Sequence, residues 1–340
     1  MKAVHIITAE ESALADPNPE VRDRLLPALR KLGVADGASI DRADALVLIE
    51  PFSFKEWRYI ARLKACPLVS RQAHRIYTLN FDDSAAGLLR GLYVGLRRKR
   101  FDGRIHRAIP YYKTPNPAVY QTSREVVPKY LATYRGNPKS NPLREKLLKT
   151  YAEHPAIRVE STSSWLDHKA SEHQHYVDLM LHGKFSLCPA GWAPVSFRIY
   201  ESMALGRCPA IIADEFVPPA LVDWDSFSLR IAESKMESLA AILGESEPNF
   251  ARLGRQARNQ WERYCSPEHV WDHVAATLVD CVDRAPEGSV VGETRRWDSW
   301  SMYHSNNWTL PQRLLNKINR VRSRWRTRER AERPPISLPL

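Results

Sequence analysis

The segment from Lys184 to Ile212, KFSLCPAGWAPVSFRIYESMALGRCPAII, constrains the fold more than any other stretch of the chain. It reads as a strand, a glycine turn, a short charged helix and a second strand. Phe185 to Cys188 is an apolar run ended by Pro189 and Gly191, and turn residues in that position mark the close of a buried strand. Ser196 is a good N-cap and Gly206 a good residue just past a helix end, so both helix boundaries have a chemical reason. A strand that leads straight into a helix belongs to an open α/β sheet. There, ligands collect beyond the carboxyl ends of the strands, and the helix N-terminus offers unpaired N–H groups and partial positive charge to an anion. Arg198 and Glu201 are three apart and share a helix face, one a fixed planar cation and the other an acceptor for hydroxyl groups. They fit a nucleoside diphosphate. An exposed ion pair worth about 0.3 to 0.5 kcal/mol fits the same two residues.

A length of 340 residues suits two α/β domains better than one core. The first half opens with a strand at AVHIIT and a helix from Pro19 to Leu32, whose apolar Val21, Leu25, Leu29 and Leu32 repeat at helical spacing before Gly33. ALVLIE then reads as a buried strand, and PLVS and HRIYTLN as further strands. The second half repeats the alternation. Strands are expected at Leu131 to Tyr134 and Ile157 to Ser161, and helices at Asn141 to Glu153 and near Glu172 to Leu181. The Lys184 to Ile212 unit and an apolar helix near Ser234 to Leu243 follow. Such alternation implies mostly parallel sheets. The polar, proline-rich KTPNP, Lys113 to Pro117, lies at or near the connection between halves. The expected domains are 1–128, 129–285 and a tail, 286–340.

Three blocks resemble the exostosin family of glycosyltransferases. The first is KFSLCPAG followed by SFRIYESMALGRCPAII; the second is LATYRGN followed by NPLREKLLKTY; the third, weaker, is YTLNFDDSAAGLLRGLYVGLRRKRFDGRIHRAIPYY. The resemblance implies a GT-B architecture, two Rossmann-like domains facing a cleft, with a C-terminal helical basic tail. It implies further that Glu201 holds the ribose hydroxyls of a nucleotide sugar and Arg198 meets its diphosphate, with Arg135, Gly136, Arg144, Gly191 and Ser196 completing the donor site. Gly136 permits close backbone approach or positive φ, and Asn141 and Pro142 are good first residues for a helix. Arg135 is the stronger candidate of the two arginines in this block, because solvent exposure explains Arg144 equally well. Many family members carry a His-Asp pair in the third block, whereas this chain has Asn80, Asp82 and Asp83. Asp82 or Asp83 is then the candidate base for an acceptor hydroxyl. Either could instead cap a helix starting near Ser84.

The formal charge of +11 is concentrated at the end of the chain. Lys317 to Arg333 holds eight Lys or Arg against Glu329 and Glu332. Leu314, Ile318, Val321 and Trp325 would form one apolar stripe on a helix started by Pro311. That helix fits either an anionic membrane surface or packing back on the first domain. No zinc-finger spacing or RNA-binding strand motif accompanies the basic residues, so no specific nucleic-acid partner is expected. Five scattered cysteines fit a reducing compartment without a disulfide framework. No apolar run of 18 residues occurs, and the expected location is cytoplasmic, with peripheral membrane contact as an option. His168, His173 and His175 are spaced for a polar helix face rather than a metal site, and no Asp-x-Asp motif is present. No metal or other cofactor is expected, as the GT-B resemblance also implies. The expected function is glycosyl transfer from a nucleotide diphosphate sugar to a hydroxyl of a glycan or lipid-linked acceptor, inverting by resemblance alone. The alternative is a catalytically silent glycan- or nucleotide-binding protein on the same scaffold.

Overall fold

The computed structural model describes residues 1–51, 58–83, 85–121, 126–162 and 170–302. The elements run β1 Val4–Ile6, α1 Glu20–Lys31, β2 Ala45–Ile49, α2 Tyr59–Ala65, α3 Pro67–Gln72, β3 Ile76–Asn80, β4 Arg90–Tyr93, β5 His106–Ala108 and α4 Ala118–Gln121. They continue with β6 Tyr130–Gly136, α5 Pro142–Thr150, β7 Ile157–Ser161, α6 Ala170–Leu181, β8 Gly183–Pro189, α7 Phe197–Ala204, β9 Cys208–Ile212 and β10 Leu229–Arg230. The helices α8 Leu239–Ser246, α9 Phe250–Tyr264, α10 Val270–Arg284 and α11 Val290–Trp297 complete them.

Among the described residues two five-stranded parallel sheets form, one in each half, so the fold class is α/β with two Rossmann-like units. The first sheet has the order β1-β2-β3-β4-β5 and the second β10-β9-β8-β6-β7. The orders differ in a way that matters for function. The first never reverses, whereas the second reverses between β6 and β8, where the connections leave to opposite sides. In an open α/β sheet that reversal opens a crevice at the carboxyl ends of the strands.

The strands are buried for reasons visible in their composition. β2, ALVLI, and β9, CPAII, are buried at every position, as near-continuous apolar runs in parallel sheets should be. PLVS is not a strand but the start of α3. Pro67 sits at the first turn of that helix, where its missing N–H is not needed and its fixed φ suits a helix. The segment near Ser234 begins as a 3₁₀ turn, Glu233–Ser238, before α8.

The chain returns to the first half earlier than the expected boundary at residue 285. α10 packs against α1, β4 and β5, and α11 against α3 and the turn after it. The apolar side of α10, Val270, Trp271, Val274, Leu278 and Cys281, joins Val4, Leu25 and Leu92 of the first half and Ile199 and Met203 of the second in one continuous core. Burying this stripe inside the protein fixes the two halves together. Trp297 on α11 is buried with Leu46, Leu48 and Leu88, and its indole Nε1 donates to the Leu88 carbonyl at 2.6 Å. The basic segment Lys317 to Arg333, with its apolar stripe, lies outside the described residues. Among the described residues, no helix is long and apolar enough to cross a membrane.

Candidate functional site

The site forms at the reversal of the second sheet. β6 ends in Arg135 and Gly136, β8 ends in Pro189 and leads through Gly191 to α7. Ser196 caps α7 as the sequence implies, its hydroxyl accepting from the Arg198 N–H at 3.4 Å. Gly206 takes φ +63° just beyond the helix, the left-handed conformation that glycine adopts at a helix end without penalty.

Arg198 points inward from the first turn of α7 and is 8% exposed. Its guanidinium lies over the Tyr134 ring at 4.7 Å and the Tyr176 ring at 4.8 Å, and Nη2 donates to the Arg135 carbonyl. Gly136 leaves room for this arrangement, since a Cβ there would stand 2.6 Å from the Tyr134 hydroxyl and 3.4 Å from Arg198 Nη2. Close approach, rather than a positive φ, is what the glycine provides.

Arg144 enters from α5. Its Nε donates to the Ala190 carbonyl at 3.0 Å and its Nη2 to the Pro189 carbonyl at 3.3 Å. Asn141, the N-cap of α5, donates to the Gly191 carbonyl at 3.1 Å and holds that helix start against the β8 turn. Burial, together with the like charge of Arg198, lowers the Arg144 pKa. Among the described residues, neither Arg144 nor Arg198 forms an ion pair with a carboxylate. Two mutually repelling cations, Arg198 buried and Arg144 half-buried, beside a helix N-terminus make a place that an anion would stabilise.

The two arginines of this block have different partners. Arg135 directs its guanidinium at Glu160, with Nη1 2.9 Å from Oε2, and lies 4.0 Å from Glu172. Only its carbonyl takes part, by accepting from Arg198. Arg144, by contrast, forms no ion pair with a carboxylate among the described residues. His175 also bonds Glu160, at 2.7 Å. His173 contributes its carbonyl to Asn116, and His168 lies outside the described residues. Among the described residues, no cluster of His, Cys, Asp and Glu has metal-site geometry.

Glu201 is 4% exposed, and both its oxygens are occupied: Oε1 accepts from the Thr114 hydroxyl and Oε2 from the Tyr176 hydroxyl. It therefore meets hydroxyl donors as its chemistry suggests, but protein ones. A narrow pocket beside it is bounded by Thr114, Tyr120, Tyr200, Trp261 and Cys265.

The first half meets the second here through Asp83 and Tyr111. Asp82 is buried in its own half, its N–H bonded at 2.9 Å to Asn80 Oδ1, while Asn80 Nδ2 donates to Glu50 Oε2 at 2.8 Å. Asp83 faces the other half. The Tyr111 hydroxyl donates to its Oδ1 at 2.6 Å, and the Tyr111 ring stacks on Phe197 at the start of α7, centroids 3.9 Å apart. Burial first, and the Asp82 charge after it, push the Asp83 carboxyl above the ordinary carboxylate range, against the hydrogen bond from Tyr111 and the charge of Arg144. Residues 85–89 are not helical, so the helix-cap reading of the two aspartates does not hold.

Tyr111, Thr114, Tyr134 and Tyr176 were not singled out from the sequence. Each is an ordinary core or linker residue in its local pattern. Only their convergence on Asp83, Glu201 and Arg198 distinguishes them.

Comparison with known proteins follows the same lines. The family model for the exostosin GT47 domain matches residues 68–245, just over half of the chain. A protein of Oryza sativa subsp. japonica named as a probable glucuronosyltransferase is 34% identical over 128 residues, 37% of this chain and 27% of that protein. Arabidopsis thaliana IRX7, named as a probable glucuronoxylan glucuronosyltransferase, is 33% identical over 138 residues, 40% of this chain and 25% of that protein. The matched part spans about a quarter of the length of these relatives. Among solved structures, Anabaena HepE in complex with UDP is similar in overall trace and no more. It aligns with TM-score 0.37 and 13% identity, over 82% of this chain and 100% of that one.

Proposed function

The chain belongs to the exostosin GT47 family, and from that membership we propose that it is a glycosyltransferase. In this reading it moves a sugar from a nucleoside diphosphate donor to a hydroxyl of a glycan or lipid-linked acceptor. The names of its relatives support glycosyl transfer, and inversion at the anomeric carbon is part of the proposal. The observation that carries it is the pair of guanidiniums at the sheet reversal, buried Arg198 and half-buried Arg144, which among the described residues form no ion pair with a carboxylate.

The chemistry follows from charge. As the glycosidic bond breaks, negative charge collects on the departing diphosphate. Donors already aimed at that place stabilise the charge without reorganising. Arg144, Arg198 and the N-terminus of α7 serve there, and the reading assigns neutralisation to them without a metal ion. Glu201, one turn further along α7, accepts from the ribose hydroxyls. Asp83 takes the proton of the attacking acceptor hydroxyl. Its raised pKa makes it a stronger base than an ordinary carboxylate, and Tyr111 orients it.

The test is thermal stabilisation by a panel of nucleoside diphosphates, UDP and GDP included, with EDTA present. A ligand that binds only the folded protein raises its melting temperature. A selective rise that is lost in Arg144→Ala supports the metal-independent site. No rise with any nucleotide overturns the reading.

A further inference from the structure

We propose that Thr114 is an internal competitor for the nucleotide, its hydroxyl occupying the place on Glu201 that a ribose hydroxyl takes. The inference rests on the reading of Glu201 as the ribose-holding group.

Glu201 has two hydroxyl partners with different surroundings. Tyr176 is half-buried against Arg198, its ring 4.8 Å from the guanidinium, and bonds Oε2. Thr114 bonds Oε1. Thr114 and Glu201 both border the narrow pocket and Tyr176 does not; in this proposal an incoming ligand meets the carboxylate on its Thr114 side. A ribose hydroxyl must therefore share Oε1 with Thr114 or replace it.

The replacement needs little rearrangement. Thr114 lies on the connector between β5 and α4, next to exposed Lys113 and Pro115. The connector is tethered on both sides of it: Lys113 pairs with Glu20 at 3.1 Å, and Asn116 Nδ2 donates to the His173 carbonyl at 3.2 Å. A turn of Thr114 about χ1 to another staggered position withdraws its hydroxyl from Glu201 while the Lys113 and Asn116 side-chain tethers stay; it also gives up the 3.3 Å bond that the hydroxyl accepts from the Asn116 N–H. The freed carboxylate then accepts from the ligand. Each binding event replaces one hydroxyl-to-carboxylate hydrogen bond by another and breaks the Asn116 N–H contact to Thr114, so apparent affinity is lower than the site alone would give.

Calorimetric titration of the full chain with the same nucleoside diphosphates separates the possibilities. Thr114→Val keeps the shape and removes the hydroxyl, and should bind the nucleotide about ten-fold more tightly, the size of one hydrogen bond to a charged group. Thr114→Ser keeps the hydroxyl and should match the wild type. Glu201→Gln should weaken binding in both backgrounds. Affinity that is unchanged or lower in Thr114→Val, with Glu201→Gln still weakened, overturns the competition and leaves the site assignment standing. Glu201→Gln binding as the wild type overturns the assignment of Glu201 and the competition with it. Failure of wild type and Thr114→Val alike to bind any nucleotide overturns both.

Discussion

The guanidinium of Arg144 fills the space beside Gly191 so closely that a Cβ there would stand 2.8 Å from Nη2 and 3.3 Å from Cζ. The glycine at the end of β8 is thus a seat for an arginine carried by another helix. Gly191→Ala meets only the far end of a flexible side chain, so the fold should accept it while Arg144 moves. Loss of one charge-assisted contact corresponds to about 1.5 to 3 kcal/mol, or roughly a ten- to hundred-fold drop in diphosphate affinity. Titration with the stabilising nucleotide, beside a melting curve close to wild type, checks both halves of this expectation.

Arg135 and Arg198 should respond differently to truncation. The Arg135–Glu160 pair has side chains 15% and 16% exposed, so Arg135→Ala should lower stability modestly and change nucleotide affinity by less than two-fold. Arg198 is sandwiched between two tyrosines, and its removal empties buried space as well as the anion site. Arg198→Ala should abolish measurable nucleotide binding and lower the melting temperature, a double effect that binding and melting experiments on the same sample will show. Nucleotide affinity falling as far in Arg135→Ala as in Arg198→Ala would return Arg135 to the donor site.

Asp83 links rate and stability to pH with opposite signs. A protonated carboxyl cannot accept the acceptor's proton, so turnover should fall as pH drops through the raised Asp83 pKa, at a higher pH than an ordinary carboxylate would give. For stability, a folded pKa above the unfolded value of 3.8 means that the folded state holds the proton more tightly. That contribution is complete below the unfolded pKa and is lost as pH rises through the folded one. Asp83→Asn carries no titrating group there. It should reduce turnover about 10²- to 10⁴-fold, the usual share of general-base catalysis, and should flatten the fall in melting temperature across that window. Persistent turnover in the variant would place the base elsewhere.

How much of this was legible beforehand depends on how local each cause is. The caps of α7 were readable because Ser196 and Gly206 act within one turn. The strand β8 was readable because its apolar run ends in proline and glycine. PLVS misled because a short apolar run has no period of its own, and Pro67 decided it as a helix start. The partners of the arginines were unreadable for a different reason. Arg135 and Arg144 both flank the end of β6, and what separates them is the pairing of β6 with β7, which sets Arg135 opposite Glu160. Thr114 was out of reach altogether, since its partner Glu201 lies 87 residues away. Pairings set by tertiary packing leave no spacing in the sequence to read.

The return of the chain to the first half provides the last test. Arg90, on β4, is 5% exposed and has its Nε 2.8 Å from Oε1 of Glu293 on α11, whose side chain is 8% exposed. Arg90 Nη1 also donates to the Pro286 carbonyl at 2.7 Å, and Glu293 receives Arg296 Nη2 at 2.8 Å. The carboxylate therefore neutralises two cations at the seam between α11 and the first sheet. Glu293→Ala removes it and leaves Arg90 buried without a counter-charge, which typically lowers stability by about 3 to 5 kcal/mol. Double replacement of Arg90 and Glu293 by apolar residues of similar size should recover much of that loss, because no uncompensated charge then remains buried. Denaturant melts of the wild type, Glu293→Ala and an Arg90→Met, Glu293→Leu double variant measure the difference. A single variant as stable as the wild type would show that α11 does not hold the first half closed.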